Sequence, residues 1–74
     1  MFTVREAGPL VRELREEKGW TQVELAQRAS VSRTFLVDLE AGKPTVETWK
    51  FMDVFQALGY EIAIRNRETG EVRW

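Results

Sequence analysis

The sequence predicts a mainly α fold of four to five short helices around a helix-turn-helix, followed by a short C-terminal β-strand or hairpin that pairs across a homodimer. Three observations carry this. Between Trp20 and Lys43, two helical segments each begin at a capping residue and are joined by the bend Ala29-Ser30-Val31. Gly19, Ala41-Gly42-Lys43-Pro44 and Gly59 then punctuate the chain at helix-length intervals. After Gly59 the period changes to the alternation Tyr60-Glu61-Ile62-Ala63-Ile64-Arg65.

A length of 74 residues allows one small domain. Residues 1–59 are read as a DNA-binding helix-turn-helix and 60–74 as a dimerising β element of the same domain. The absence of cysteine removes disulfides and thiol nucleophiles, and fits a cytoplasmic setting. The absence of histidine as well makes zinc ligation and ordinary acid-base catalysis poor fits. The chain is therefore read as a non-enzyme, with no catalytic residue, metal or cofactor. No apolar run approaches the ~20 residues needed to cross a bilayer, so no membrane partner is expected. Eleven basic against twelve acidic residues is an awkward balance for a nucleic-acid binder. Charge distribution must compensate, with Arg28, Arg33 and Lys43 near DNA and Glu13, Glu16, Glu17, Glu47 and Asp53 away from it.

Thr3 and Glu6 have capping-box spacing, but Gly8-Pro9 predicts a break, with a new helix starting at Pro9 and ending at Gly19. Leu10, Val11 and Leu14 form its apolar stripe, and Arg12, Glu13, Arg15, Glu16 and Glu17 read as a solvated face. Thr21 and Glu24 make a capping box for the next helix, and Ser32 caps the one after, with Leu36 and Leu39 on its buried side. Thr45 begins a further helix from about Val46 to Leu58, whose core stripe is read as Phe51, Met52, Phe55 and Leu58. Trp49 lies off that stripe, so it either lies flat on a neighbouring helix or meets a partner. Trp74 at the end of the tail is a second partner candidate. An isolated hairpin is marginal in water and leaves an open edge. Tyr60, Ile62 and Ile64 are therefore expected to pair with the same strand of a second copy.

The second helix of such a pair reads base edges from its N-terminal end, where Ser32, Arg33 and Thr34 stand. Arg33 suits a forked contact to guanine O6 and N7, with a phosphate clamp as its alternative. Thr34 suits a base or a thymine methyl. Gln22, beside the cap Thr21, is placed to give a phosphate both its amide and nearby backbone N–H groups. Lys43 is a phosphate candidate after the helix. Phe35 and Asp38 complete the candidate interface and also disturb it. Phe35 either packs on thymine methyls and sugars or turns with Leu39 into the core edge. Asp38 either accepts from a cytosine amino group or is paired internally.

T-Q-V-E-L-A-Q-R-A-S-V-S-R-T followed by L-E-A-G-K-P-T resembles the Xre/Cro family of bacterial and phage repressors over roughly residues 9 to 59, a lambda-repressor-like domain. The wording V-S-R-T-F-L-V-D-L-E-A-G-K-P-T and the tail A-L-G-Y-E-I-A-I look more like its HipB-type antitoxins. The family resemblance implies a homodimer on double-stranded DNA bearing an inverted-repeat operator. The HipB-type branch implies a strand paired across the two-fold, autoregulation of a toxin operon and binding to a HipA-type serine/threonine kinase toxin. By position it implies DNA contacts at Gln22, Ser32, Arg33 and Thr34, with Asp38 where polar amides are commoner. It further implies an ion pair between Arg15 and Glu40, against the surface reading of Arg15 above. The length of the tail from Asn66 to Trp74 departs from a one-strand antitoxin end. Two alternatives remain at this stage: a free-standing phage-type or restriction-controller regulator, and a protein-interaction module that uses the helix-turn-helix shape without DNA.

Overall fold

The computed structural model describes residues 4–43 and 48–73, with side chains over 6–43 and 50–73. Described are helices α1 (Val4–Glu17), α2 (Gln22–Ala29), α3 (Arg33–Glu40) and α4 (Thr48–Ala57), then strands β1 (Ile64–Arg65) and β2 (Val72–Arg73). Ala7 and Val11 of α1, Leu25, Ala26 and Ala29 of α2, Leu36 and Leu39 of α3, Val54 and Phe55 of α4 and Leu58 just after it form one buried core. Leu10, Leu14, Trp20, Val31, Phe35 and Phe51 pack around it. Val31, the last residue of the expected bend, packs against this core from the turn.

The first correction concerns Gly8-Pro9, which does not break α1. Pro9, the sixth residue of the helix, removes one hydrogen bond, to the carbonyl of Arg5 near the helix start, and the helix continues through it. Gly8 is required by tertiary contact. A Cβ on it would lie 2.1 Å from the Leu39 carbonyl oxygen and 3.1 Å from that of Glu40, so α1 and the end of α3 meet backbone to backbone. The cap read at Thr3 lies outside the described residues.

Both caps of the helix pair form as expected. The Glu24 N–H donates to Thr21 Oγ1 at 3.1 Å while the Thr21 N–H donates to Glu24 Oε1 at 3.1 Å. The Phe35 N–H donates to Ser32 Oγ at 3.0 Å. Each helix ends on a left-handed residue: Gly19, Ser30, Gly42 and Gly59. At α1 the Trp20 N–H reaches back to the Arg15 carbonyl and the Gly19 N–H to that of Glu16, which satisfies two otherwise orphaned acceptors. At Ser30, with φ of 57°, the same geometry is held by a residue with a side chain.

In α4 the stripe is rotated from its expected place. Met52 is 43% exposed, while Val54 is fully buried with Phe55 and Leu58. The buried set centres between Phe51, Val54 and Leu58, roughly 100° away from Met52. The side chain of Trp49 and all of Pro44 to Glu47, including the cap read at Thr45, lie outside the described residues.

The tail forms an antiparallel hairpin in which Ile64 faces Arg73 and Arg65 faces Val72. Asn66 Oδ1 accepts from the N–H groups of Glu68 and Thr69, and Gly70 takes the left-handed position that closes the turn. The expected strand from Tyr60 is thus regular within one chain only at its end, Ile64–Arg65. Every residue from Gly59 to Arg73 is exposed.

Candidate nucleic-acid interface

Helix α3 divides its residues by helical spacing. Leu36 and Leu39 are buried, whereas Arg33, Thr34, Val37 and Ala41 are exposed, and Asp38 is half-buried beside them. The exposed set is one continuous stripe from the N-terminal end to the end of the helix. Ser32 and Arg33 open it, and the Ser32 cap fixes the direction in which that end projects. Val37, in the middle of the stripe at 38% exposure, was not singled out from the sequence. It lies four residues after Arg33 and three after Thr34, so the periodicity that located Leu36 and Leu39 would have located it too.

Behind the stripe stands an ion pair. Arg15 Nε donates to Glu40 Oε2 at 2.8 Å and an η nitrogen to Oε1 at 3.0 Å, while its other η nitrogen donates to the Trp20 carbonyl at 2.7 Å. The side chains are only 12% and 5% exposed. The pairing to Glu40 raises the Arg15 pKa, against the opposing effect of burial. Arg15 is therefore not a surface residue, as helical charge patterning alone suggested. The resemblance-based pairing with Glu40 is the one observed.

Gln22 joins this network. Its Nε2 donates to Glu40 Oε1 at 3.3 Å, which orients the side chain at the start of α2. An open groove lined by Arg12, Arg15, Gln22, Val37, Glu40 and Ala41 runs between α1, α2 and α3. Gln22 and Val37 thus face the same side of the molecule. Arg12, read from the sequence as solvated, lines that groove and is paired with Glu16 at 3.3 Å on the exposed face of α1.

The remaining candidates are placed as follows. Asp38 is paired with Lys43, Oδ1 to Nζ at 3.5 Å, with the lysine side chain largely and the aspartate side chain about half solvated. Phe35 turns toward the core, with the Lys50 ammonium 5.8 Å from its ring centroid. Arg28 corrects the expected charge distribution. It stacks on Trp20 at 4.3 Å and lines a depression with Ser30, Asp53 and Gln56, on the α4 side of α2 and not on the side of Gln22 and Val37. Asp53 lies with it, away from the groove as expected. Tyr60, Ile62 and Ile64 are 50%, 40% and 75% exposed. Trp74 lies outside the described residues.

Two short capped helices, a bend turned by the left-handed Ser30 and an outward stripe on the second helix that opens with Ser32, Arg33 and Thr34 define a helix-turn-helix, the unit that places its second helix in a DNA major groove. The HTH_3 helix-turn-helix family model matches residues 11–63, and the chain belongs to that Xre-type family. It is similar to the uncharacterised HTH-type transcriptional regulator y4mF of Sinorhizobium fredii (strain NBRC 101917 / NGR234), at 48% identity over 62 residues that cover 84% of this chain and 82% of the relative. Fold and relatives together point to a DNA-binding transcriptional regulator. Among the described residues no helix is long and apolar enough to cross a membrane.

Proposed function

We propose that the protein is a cytoplasmic, sequence-specific repressor that binds an inverted-repeat operator as a homodimer and autoregulates its own operon. The outward stripe of α3 carries this reading. Arg33 and Thr34 project from its N-terminal end, with Ser32 holding that end and Gln22 oriented by Glu40 toward the flanking phosphates. Lys43 reaches a phosphate by exchanging its exposed contact with Asp38, at little cost because the pair is solvated. The stripe holds few cations, so doubling the contacts in a dimer matters more here than in a strongly basic domain.

The dimer is proposed to form through the tail. Tyr60, Ile62 and Ile64 alternate along the tail, so that an extended Tyr60–Ile64 would carry them on one face, and all three are exposed. Pairing of Tyr60–Ile64 with its copy would cover that face and satisfy the open edge. Sedimentation at tens of micromolar tests this: a dimer is expected, and a monomer would refute it.

The finer role proposed is that of the antitoxin in a toxin-antitoxin pair, bound to a HipA-type kinase toxin. Its support is the HipB-like wording of residues 31–45 and of the tail. Purification from the native operon followed by mass analysis tests it, with a kinase-sized partner expected. A chain that purifies alone, from an operon with no neighbouring toxin frame, identifies a free-standing regulator instead.

A further inference from the structure

Val37 is an apolar residue in the middle of a polar face. It stands one turn beyond Arg33, is 38% exposed, and points away from the core side defined by Leu36 and Leu39. A single exposed valine is ordinary on a protein surface; the placement of this one is not. It lines the groove shared with Gln22 and Arg12, at the centre of the stripe that enters the major groove. Its acidic neighbour Glu40 is already engaged by Arg15 and Gln22. A β-branched side chain on a helix is also nearly fixed at χ1, so its methyl groups have one position with respect to a docked base pair.

The apolar group on a major-groove base edge is the thymine C5-methyl. We infer that Val37 is a specificity-determining residue that packs on a thymine methyl. Contact with that methyl removes both apolar surfaces from water, while cytosine carries only a hydrogen at C5 and the purine edges present N7 and an exocyclic polar group. Four residues of helix span about 6 Å, against about 3.4 Å per base-pair step, so the thymine lies within about two base pairs of the base read by Arg33. The inference rests on α3 being the groove-entering helix.

The test begins with operators selected from random DNA by the chain. The base pair read by Arg33 is the one whose substitution no longer matters in Arg33→Ala. Each nearby thymine is then replaced by deoxyuracil, which removes only the methyl. One such replacement is expected to weaken wild-type binding about fourfold. Val37→Ala is expected to bind the thymine operator equally weakly and to be indifferent to the replacement, and Val37→Thr, which keeps one methyl, to fall between. Neutral replacement at every nearby thymine would overturn the inference, as would an undiminished deoxyuracil penalty in Val37→Ala. Selection of no DNA at low salt would overturn the DNA-binding reading and this inference together.

Discussion

Arg15 links three parts of the chain through one guanidinium: α1, the Trp20 carbonyl before α2, and Glu40 at the end of α3. Its removal would leave Glu40, 5% exposed, with only the longer contact from Gln22. Arg15→Ala is therefore expected to cost about 3 kcal/mol. Thermal unfolding checks this, with a fall in melting temperature of at least about 10 °C expected for a domain of this size. Arg12→Ala, which removes an exposed pair with Glu16, should leave the melting temperature essentially unchanged. Helical charge patterning could not distinguish these two arginines, since both stand among glutamates on α1. Their difference lies in a contact 25 residues away in sequence, reachable only through the family resemblance. Ser30 tests backbone strain at the same scale. Its φ of 57° favours glycine, so Ser30→Gly is expected to add about 0.5–1 kcal/mol of stability, less than the full left-handed penalty because glycine also loosens the unfolded chain. A denaturant midpoint no higher than wild type would contradict it.

Elements were legible wherever their signals are local. The Thr21–Glu24 box, the Ser32 cap and the stops at Gly19 and Gly59 each involve residues within one turn, and each forms as the sequence predicts. Gly8-Pro9 misled because its local meaning, a break, was overruled by contact with α3. The close approach at Gly8 makes a sharp prediction. Gly8→Ala places a methyl 2.1 Å from the Leu39 carbonyl oxygen, where only backbone movement relieves the clash. A loss of about 2–3 kcal/mol is expected by urea titration, although alanine is the better helix former. At α4, Phe51, Phe55 and Leu58 of the expected stripe pack as read, whereas Val54 takes the place given to Met52. Short helices with several adjacent apolar residues permit more than one stripe, and the packing of the neighbouring helix α2 decides between them. On α3 the same arithmetic applied to the outward side would have shown Val37, so that omission was not a limit of the sequence.

For the molecule as a whole, near-neutral charge and an exposed tail have to be reconciled with recognition of a polyanion. Placing Arg28 on Trp20 removes one of the three cations that the sequence assigned to DNA and leaves Arg33 and Lys43, while Arg12 lines the nearby groove but is paired with Glu16. Affinity should then depend on two copies binding together. Truncation after Gly59 is expected to preserve the helical circular dichroism, because the core draws on α1 to α4, and to lower operator affinity by at least about tenfold. Unchanged affinity would separate the two ends of the chain. The hairpin itself was readable from its alternation and turn residues, whereas any pairing of Tyr60–Ile64 with a second copy is a property of two chains and leaves only exposed apolar residues as its trace in one. The most direct test of recognition through α3 is the affinity for the protein's own upstream DNA as a function of salt, compared between wild type, Arg33→Ala and Gln22→Ala. Affinity that falls steeply with salt is expected, with Arg33→Ala losing about tenfold or more on the operator and little on unrelated DNA, and Gln22→Ala weakening both. Binding that is indifferent to salt, or an Arg33→Ala variant that binds the operator as wild type does, would contradict it.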